Sequence, residues 1–197
     1  LRQQVAGAAE GGVDYVQVRE PDLEAADLAD LVRSLLLSVA STRAKLLVND
    51  RIDVALATGA AGVHLKEESI LPADARRMAP PGFVIGCSVH GPSSIGARKS
   101  ADFLIAGTVM PTASKRTVDY LETEGLSRIV DAAAGQPVLG IGGLDLMSVP
   151  LLASSGAAGM AAIGAFMPEV PDGRVKENVQ KRVTALRFAL ETATERP

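Results

Sequence analysis

An α/β barrel, (β/α)8, is the fold class this 197-residue sequence predicts, and three observations predict it. Short apolar runs alternate with amphipathic stretches along the chain, which implies right-handed βαβ units and a parallel sheet. Two of those runs, Phe83-Val-Ile-Gly-Cys-Ser-Val-His90 and Phe103-Leu-Ile-Ala-Gly-Thr-Val-Met-Pro-Thr-Ala-Ser-Lys115, turn polar and reactive at their ends. Barrel strands carry their chemistry at that edge. The glycine-rich GxGxxG turn that an open doubly wound sheet would place after an early strand is missing from this sequence.

Taken in order, the chain opens in a helical stretch (Leu1, Val5, Ala8, Ala9) ended by Gly11-Gly12. Strands are predicted at Tyr15–Arg19, Lys45–Val48, Gly62–Leu65, Phe83–Val89, Phe103–Val109, Pro137–Ile141 and Met160–Ile163. Between the first two, Leu28, Leu31, Val32, Leu35 and Val39 share one helical face, and Asp22 after Pro21 is placed to cap that helix. Leu126, Ile129, Val130 and Ala133 form a second such face, closed by Gly135 as the C′ residue. Val175, Val179, Val183, Leu186 and Leu190 form a third. Seven strands leave an eight-stranded barrel one short. A barrel without its first strand would expose two edges, so a further strand is expected ahead of Leu1. No composition shift marks a linker, and one domain is expected over residues 1–197.

Composition fits that architecture. Apolar residues make up 47% of the chain and aromatics 3%, with no Trp. The core must therefore be aliphatic, as suits helices packed on a parallel sheet. A net charge of -3 lacks the basic footprint of a nucleic-acid binder. The single cysteine, Cys87, excludes an intrachain disulfide and fits a reducing compartment. No apolar run approaches the ~20 residues that span a bilayer. The start, Leu1-Arg-Gln-Gln, shows no signal-peptide pattern, and a cytoplasmic location is expected. A homo-oligomer is left open.

Candidate site residues sit at strand ends. Gln17 and Arg19, two apart, share a strand face, with Val16 and Val18 on the other. An Arg in a barrel mouth clamps phosphate or carboxylate; the plainer role is an ion pair with Glu20, and the neighbouring Gln17 favours a ligand. Asn49-Asp50-Arg51 either caps the next helix or supplies a ligand contact (Asn49) and an Mg²⁺ ligand (Asp50). Glu67 or Glu68 could add a second carboxylate, although a solvated charge pair is the simpler expectation. Ser88 and His90 share a face, and a His there suits proton transfer as well as a structural hydrogen bond. His64 is read as structural and Cys87 as a packing residue facing away from Ser88. Thr112, Ser114 and Lys115 make a small polar loop suited to an anion. Gly140-Ile-Gly-Gly-Leu144 and Ala161-Ala-Ile-Gly-Ala-Phe166 lie where barrels of this type bind phosphate, with Gly142, Gly143, Ile163 and Gly164 offering backbone N–H groups and a helix N-terminus following.

In order, Gln17-Val-Arg-Glu20, Leu47-Val-Asn-Asp-Arg51, Gly62-Val-His-Leu65, Gly86-Cys-Ser-Val-His90, Pro111-Thr-Ala-Ser-Lys115 and Ile141-Gly-Gly143 resemble the thiamine phosphate synthase superfamily, which includes the thiazole tautomerases (TenI-like proteins). The resemblance runs from Gly12 to Phe166 and implies the barrel fold. The departures are specific. Synthases continue the first motif with a Lys for the pyrophosphate, where this chain has Pro21. Their Gly-Gln-acid-Asp pattern, whose Asp is a Mg²⁺ ligand, reads Lys66-Glu-Glu-Ser69 here. Thr-x-Thr-Lys has become Thr112-Ala-Ser114-Lys115, and Gly164 stands where a Ser is usual.

Loss of a metal carboxylate and a pyrophosphate Lys, with the thiazole-phosphate glycines kept, makes thiazole tautomerase the leading expectation. In that reading His90 moves the proton and no cofactor is needed. Gln17, Arg19 and Asn49 would orient a phosphorylated thiazole. The alternatives are a Mg²⁺-dependent thiamine phosphate synthase, with Asp50 on the metal, and a non-catalytic thiazole or thiamine phosphate binder.

Overall fold

A computed structural model describes residues 1–112, 119–167 and 173–194. Seven strands form one parallel sheet in sequential order: β1 (Tyr15–Val18), β2 (Lys45–Asn49), β3 (Gly62–Leu65), β4 (Val84–Val89), β5 (Phe103–Gly107), β6 (Val138–Ile141) and β7 (Gly159–Ala161). They alternate with α1 (Arg2–Gly11), α2 (Ala25–Val39), α3 (Ile52–Thr58), α4 (Pro72–Met78), α5 (Glu122–Ala133), α6 (Val149–Ser155) and α7 (Val175–Thr194). The architecture is that of a TIM-type α/β barrel, with β1 and β7 as the end strands of the sheet. The strand expected ahead of Leu1 would lie outside residues 1–197.

Period-two alternation sorts each strand's residues onto two faces. Leu46, Val48, Val63, Leu65, Ile85 and Leu104 face outward and merge with Val32, Leu35, Leu126, Ile129 and Leu152 of the helices into one core. Leu47, Val84 and Phe103 face inward and, with Ile105 and Leu139, fill the barrel. Tyr15 stacks on Phe103, ring centroids 5.2 Å apart and 12° from parallel. Each fully buried aliphatic side chain contributes about 1.5–3 kcal/mol, so both faces fix the strand register. Gly86 belongs to the inner layer because of its neighbours. A Cβ there would strike the Phe103 ring and lie 2.7 Å from His64 Nδ1.

Local signals fared unevenly. The apolar face of α2 is buried at Leu28, Val32, Leu35 and Val39, but Asp22 does not cap that helix. The chain enters α2 through an extended Glu24, which makes no side-chain cap, and Asp22 lies too far upstream to reach the first turn. Val179, Val183 and Leu186 of α7 are buried as expected, and Gly135 follows the end of α5 in the left-handed region. Among the described residues, no helix is long and apolar enough to cross a membrane.

Candidate functional site

Parallel strands bring all their C-terminal ends to one edge, and the register decides which side chains meet there. Val18 pairs with Val48, Asn49 with His64, His64 with Gly86, and Ser88 with Ile105. Gln17, Asn49, His64 and Ser88 therefore line the inner face, with Arg19, Asp50, Lys66 and His90 just beyond the strand ends. Gln17 Nε2 donates a long hydrogen bond to Asn49 Oδ1 at 3.4 Å. Arg19 is exposed, one step past that pair, with no partner among the described residues.

His64 is buried, 4% exposed. Its Nε2 lies 2.9 Å from Ser88 Oγ, while Nδ1 has no partner. Burial lowers its pKa to about 4, only partly opposed by the Asp50 carboxylate, so the ring is neutral near pH 7. An orphaned buried N–H is rarer than an orphaned acceptor, which assigns the proton to Nε2 as donor to Ser88 Oγ. The Ser88 hydroxyl hydrogen is then free to point into the mouth. Ser88 and His90 thus do not act as a pair, because the strand register hands Ser88 to His64 instead. Cys87, on the opposite parity, is 1% exposed in the outer core.

Asp50 does not cap α3, whose entry residue is Arg51. It sits instead in the left-handed region at φ 62°, with its N–H donating to the His64 carbonyl at 2.8 Å. That conformation is costly for a non-glycine residue and is over-determined by its surroundings. Lys66 Nζ lies 2.8 Å from Oδ2, and the Ser69 hydroxyl donates to Oδ1. Ser69 is itself pinned: Lys66 N–H donates to its Oγ, and Ser69 N–H donates to the Lys66 carbonyl, both at 3.2 Å. Burial works against the charge on Asp50, but the Lys66 and Ser69 hydrogen bonds outweigh it and hold the carboxyl below its ordinary value.

A second polar cluster lies beside the first. His90 Nδ1 pairs with Glu67 Oε2. Arg98, 8% exposed, donates to the Glu67 carbonyl at 2.5 Å and to the Ser94 carbonyl at 2.7 Å. Burial opposes ionisation of Glu67, yet hydrogen bonds from His90 and Ser94 with the nearby Arg98 charge keep its pKa lowered. Glu67 is therefore a buttressed carboxylate and not a solvated one.

The glycine loops have packing reasons of their own. Gly142 (φ 102°) and Gly143 (φ 66°) lie against the chain after β5. A Cβ on Gly142 would be 2.5 Å from Thr108 Cγ2, and one on Gly143 2.8 Å from Met110 Cβ. The helix N-terminus expected to face an anion here is already filled, since Asp145 caps the short 3-10 turn Leu146–Ser148 by accepting from Met147 N–H. The N–H groups of Gly143, Ile163 and Gly164 meet no backbone carbonyl among the described residues. Thr112 is half-buried at the end of the loop after β5. Ser114 and Lys115 lie outside the described residues.

The sequence profile of the thiamine monophosphate synthase family matches residues 1–166. The chain belongs to that family. A Geobacter sulfurreducens protein provisionally named thiamine-phosphate synthase is 41% identical over 174 residues, 86% of this chain and 80% of its own. The thiamine-phosphate synthase of Pyrococcus abyssi is 35% identical over 90% of this chain and 86% of its own. Among solved structures, thiamine phosphate pyrophosphorylase from Pyrococcus furiosus superposes with a TM-score of 0.81 at 31% identity, covering 98% of this chain and 90% of that one.

These similarities overturn the tautomerase expectation. The relatives carry the name of a synthase, a transferase, and not of an isomerase. With the isomerase reading goes the reason for treating His90 as a proton carrier, and His90 is in any case occupied by Glu67.

Synthases of the family are expected to use Mg²⁺, and Asp50 is the carboxylate expected to hold it. Mg²⁺ takes octahedral oxygen ligands, typically one or two carboxylates with phosphate oxygens and water. Here both oxygens of Asp50 are engaged, by an ammonium and a hydroxyl, and Ser69 stands where the second carboxylate belongs. The Glu67 carboxylate is turned to His90 and Ser94. No group of three or more His, Cys, Asp or Glu converges on a metal position among the described residues. This does not fit a two-carboxylate Mg²⁺ site.

Sequence reasoning singled out Gln17, Arg19, Asn49, Asp50 and Ser88, and the structure gathers all five at one edge. It missed Lys66 and Arg98 and underrated Glu67. The signal for Lys66 was present. Lys66 and Ser69 depart together from one four-residue pattern, and only their joint reading points to a contact between them.

Proposed function

We propose that this chain joins a pyrimidine pyrophosphate to a thiazole phosphate, releasing thiamine phosphate and pyrophosphate. The observation that carries this reading is the 35% identity to the Pyrococcus abyssi thiamine-phosphate synthase over 90% of the chain. In the reaction a bond forms between the thiazole nitrogen and the pyrimidine side carbon while the bond from that carbon to pyrophosphate breaks. The chain's tasks are to orient the two heterocycles, hold two anions and exclude water.

Gln17 and Asn49, linked across β1 and β2, suit the hydrogen-bonding edge of the pyrimidine, and the Ser88 hydroxyl supplies a further donor from the inner face. Neutral, buried His64 fixes Ser88 without placing a charge beneath the ring. Arg19, exposed and without a partner among the described residues, suits a clamp on the departing pyrophosphate. Thr112 and Lys115 are assigned to the same anion on sequence grounds. Backbone N–H groups around Gly142, Gly143, Ile163 and Gly164 are assigned to the thiazole phosphate.

The test is to incubate the purified chain with both substrates and separate thiamine phosphate by chromatography, beside a mixture without protein. Product above that background supports the reading; none, with both substrates intact, rejects it.

A further inference from the structure

We propose that Lys66 is a built-in cation that takes the place of a divalent metal in holding the leaving pyrophosphate. This rests on the synthase reading above and adds to it how the anion's charge is met.

Charge balance is the first argument. A divalent ion held by two carboxylates is neutral overall, and an ammonium held by one carboxylate is neutral as well. Relative to the family pattern, Ser69 removes one carboxylate and Lys66 supplies the ammonium, within one four-residue turn. The extra acid in that turn, Glu67, is directed to His90, Ser94 and Arg98 and leaves the balance at Asp50 unchanged.

Geometry is the second. Lys66 Nζ is 2.8 Å from Asp50 Oδ2, Ser69 occupies Oδ1, and the turn between them is closed by two backbone–side-chain and backbone–backbone hydrogen bonds. A metal at this carboxylate would have to share it with an ammonium and a hydroxyl that the chain already provides, against the Lys66 charge. The Lys66 side chain remains 48% exposed, and its ammonium carries three N–H donors, of which the contact with Asp50 needs one. Arg19 stands two strands away on the same edge, with no partner among the described residues, and suits the opposite side of the anion.

Two binding measurements on the whole chain test this without calling on turnover. Inorganic pyrophosphate is titrated calorimetrically with Mg²⁺ and with EDTA, and Mn²⁺ binding is followed by electron paramagnetic resonance. Pyrophosphate affinity is expected to change less than about threefold on removing Mg²⁺, and to fall about tenfold or more in Lys66→Met. Mn²⁺ is expected to bind the double variant Lys66→Gly/Ser69→Asp and not the parent. Stoichiometric Mn²⁺ binding by the parent that Asp50→Asn abolishes, or pyrophosphate binding that requires the metal, overturns the proposal. The parent titrations decide even where Lys66→Met fails to fold. Metal-free pyrophosphate binding beside a failed coupling reaction would reject the synthase function and leave the cation role standing.

Discussion

His64 Nε2 and Ser88 Oγ, 2.9 Å apart on adjacent strands, form a buried polar link whose other ring nitrogen has no partner. Burial keeps the folded-state pKa of His64 at about 4, against 6.5 unfolded. Between these values the unfolded chain binds the extra proton, so stability falls as pH falls from 6.5 toward 4 and is fully present above 6.5. The loss across that window is about 3 kcal/mol. Urea midpoints of the parent and of His64→Gln from pH 4 to 8 should diverge accordingly, the variant losing less between pH 6.5 and 4. Parallel curves would contradict the assignment.

Arg98 ties the turn after β3 to the segment after β4 through the Glu67 and Ser94 carbonyls. Arg98→Leu leaves both carbonyls without their charged donor and should cost about 2–4 kcal/mol in urea unfolding. A cost below about 0.5 kcal/mol, the range of ordinary surface changes, would show that the bonds do not hold the loops.

Gly142 and Gly164 should respond differently to the same change. Gly142→Ala meets both φ 102° and the Thr108 methyl, and about 1–3 kcal/mol of destabilisation is expected. Among the described residues Gly164 has no atom within 4 Å of a Cβ, and Gly164→Ala should stay within about 0.5 kcal/mol of the parent. Thermal melts of the two variants check this, and equal effects would refute it.

Arg19→Ala should leave the fold intact, since the side chain is exposed without a described partner. Its kcat/KM in the coupling reaction should fall about 10–100-fold through lost pyrophosphate contact. Unchanged kcat/KM would remove Arg19 from the site.

The strands were legible because both faces of a parallel sheet are buried: all seven predicted runs match observed strands to within two residues. The gathering of Gln17, Arg19, Asn49 and Asp50 was legible too, since parallel strands share one C-terminal edge. Partner choice was not. Whether Ser88 meets His64 or His90 depends on the register between β3 and β4, which single-strand patterns do not encode. Asp22 and Asp145 carry the same capping signal, and only Asp145 caps, because only there does the backbone turn bring an N–H within reach. The functional misreading had one cause. Pro21 and Ser69 read as losses when Lys66, which meets Asp50 in the structure, is not set against them.

The most direct measurement of the central claim is pyrophosphate release by the purified chain from the pyrimidine pyrophosphate, with and without the thiazole phosphate. The synthase account predicts release that depends on the thiazole and matches thiamine phosphate formation one for one. Release that ignores the thiazole, or none with both substrates present, would contradict it.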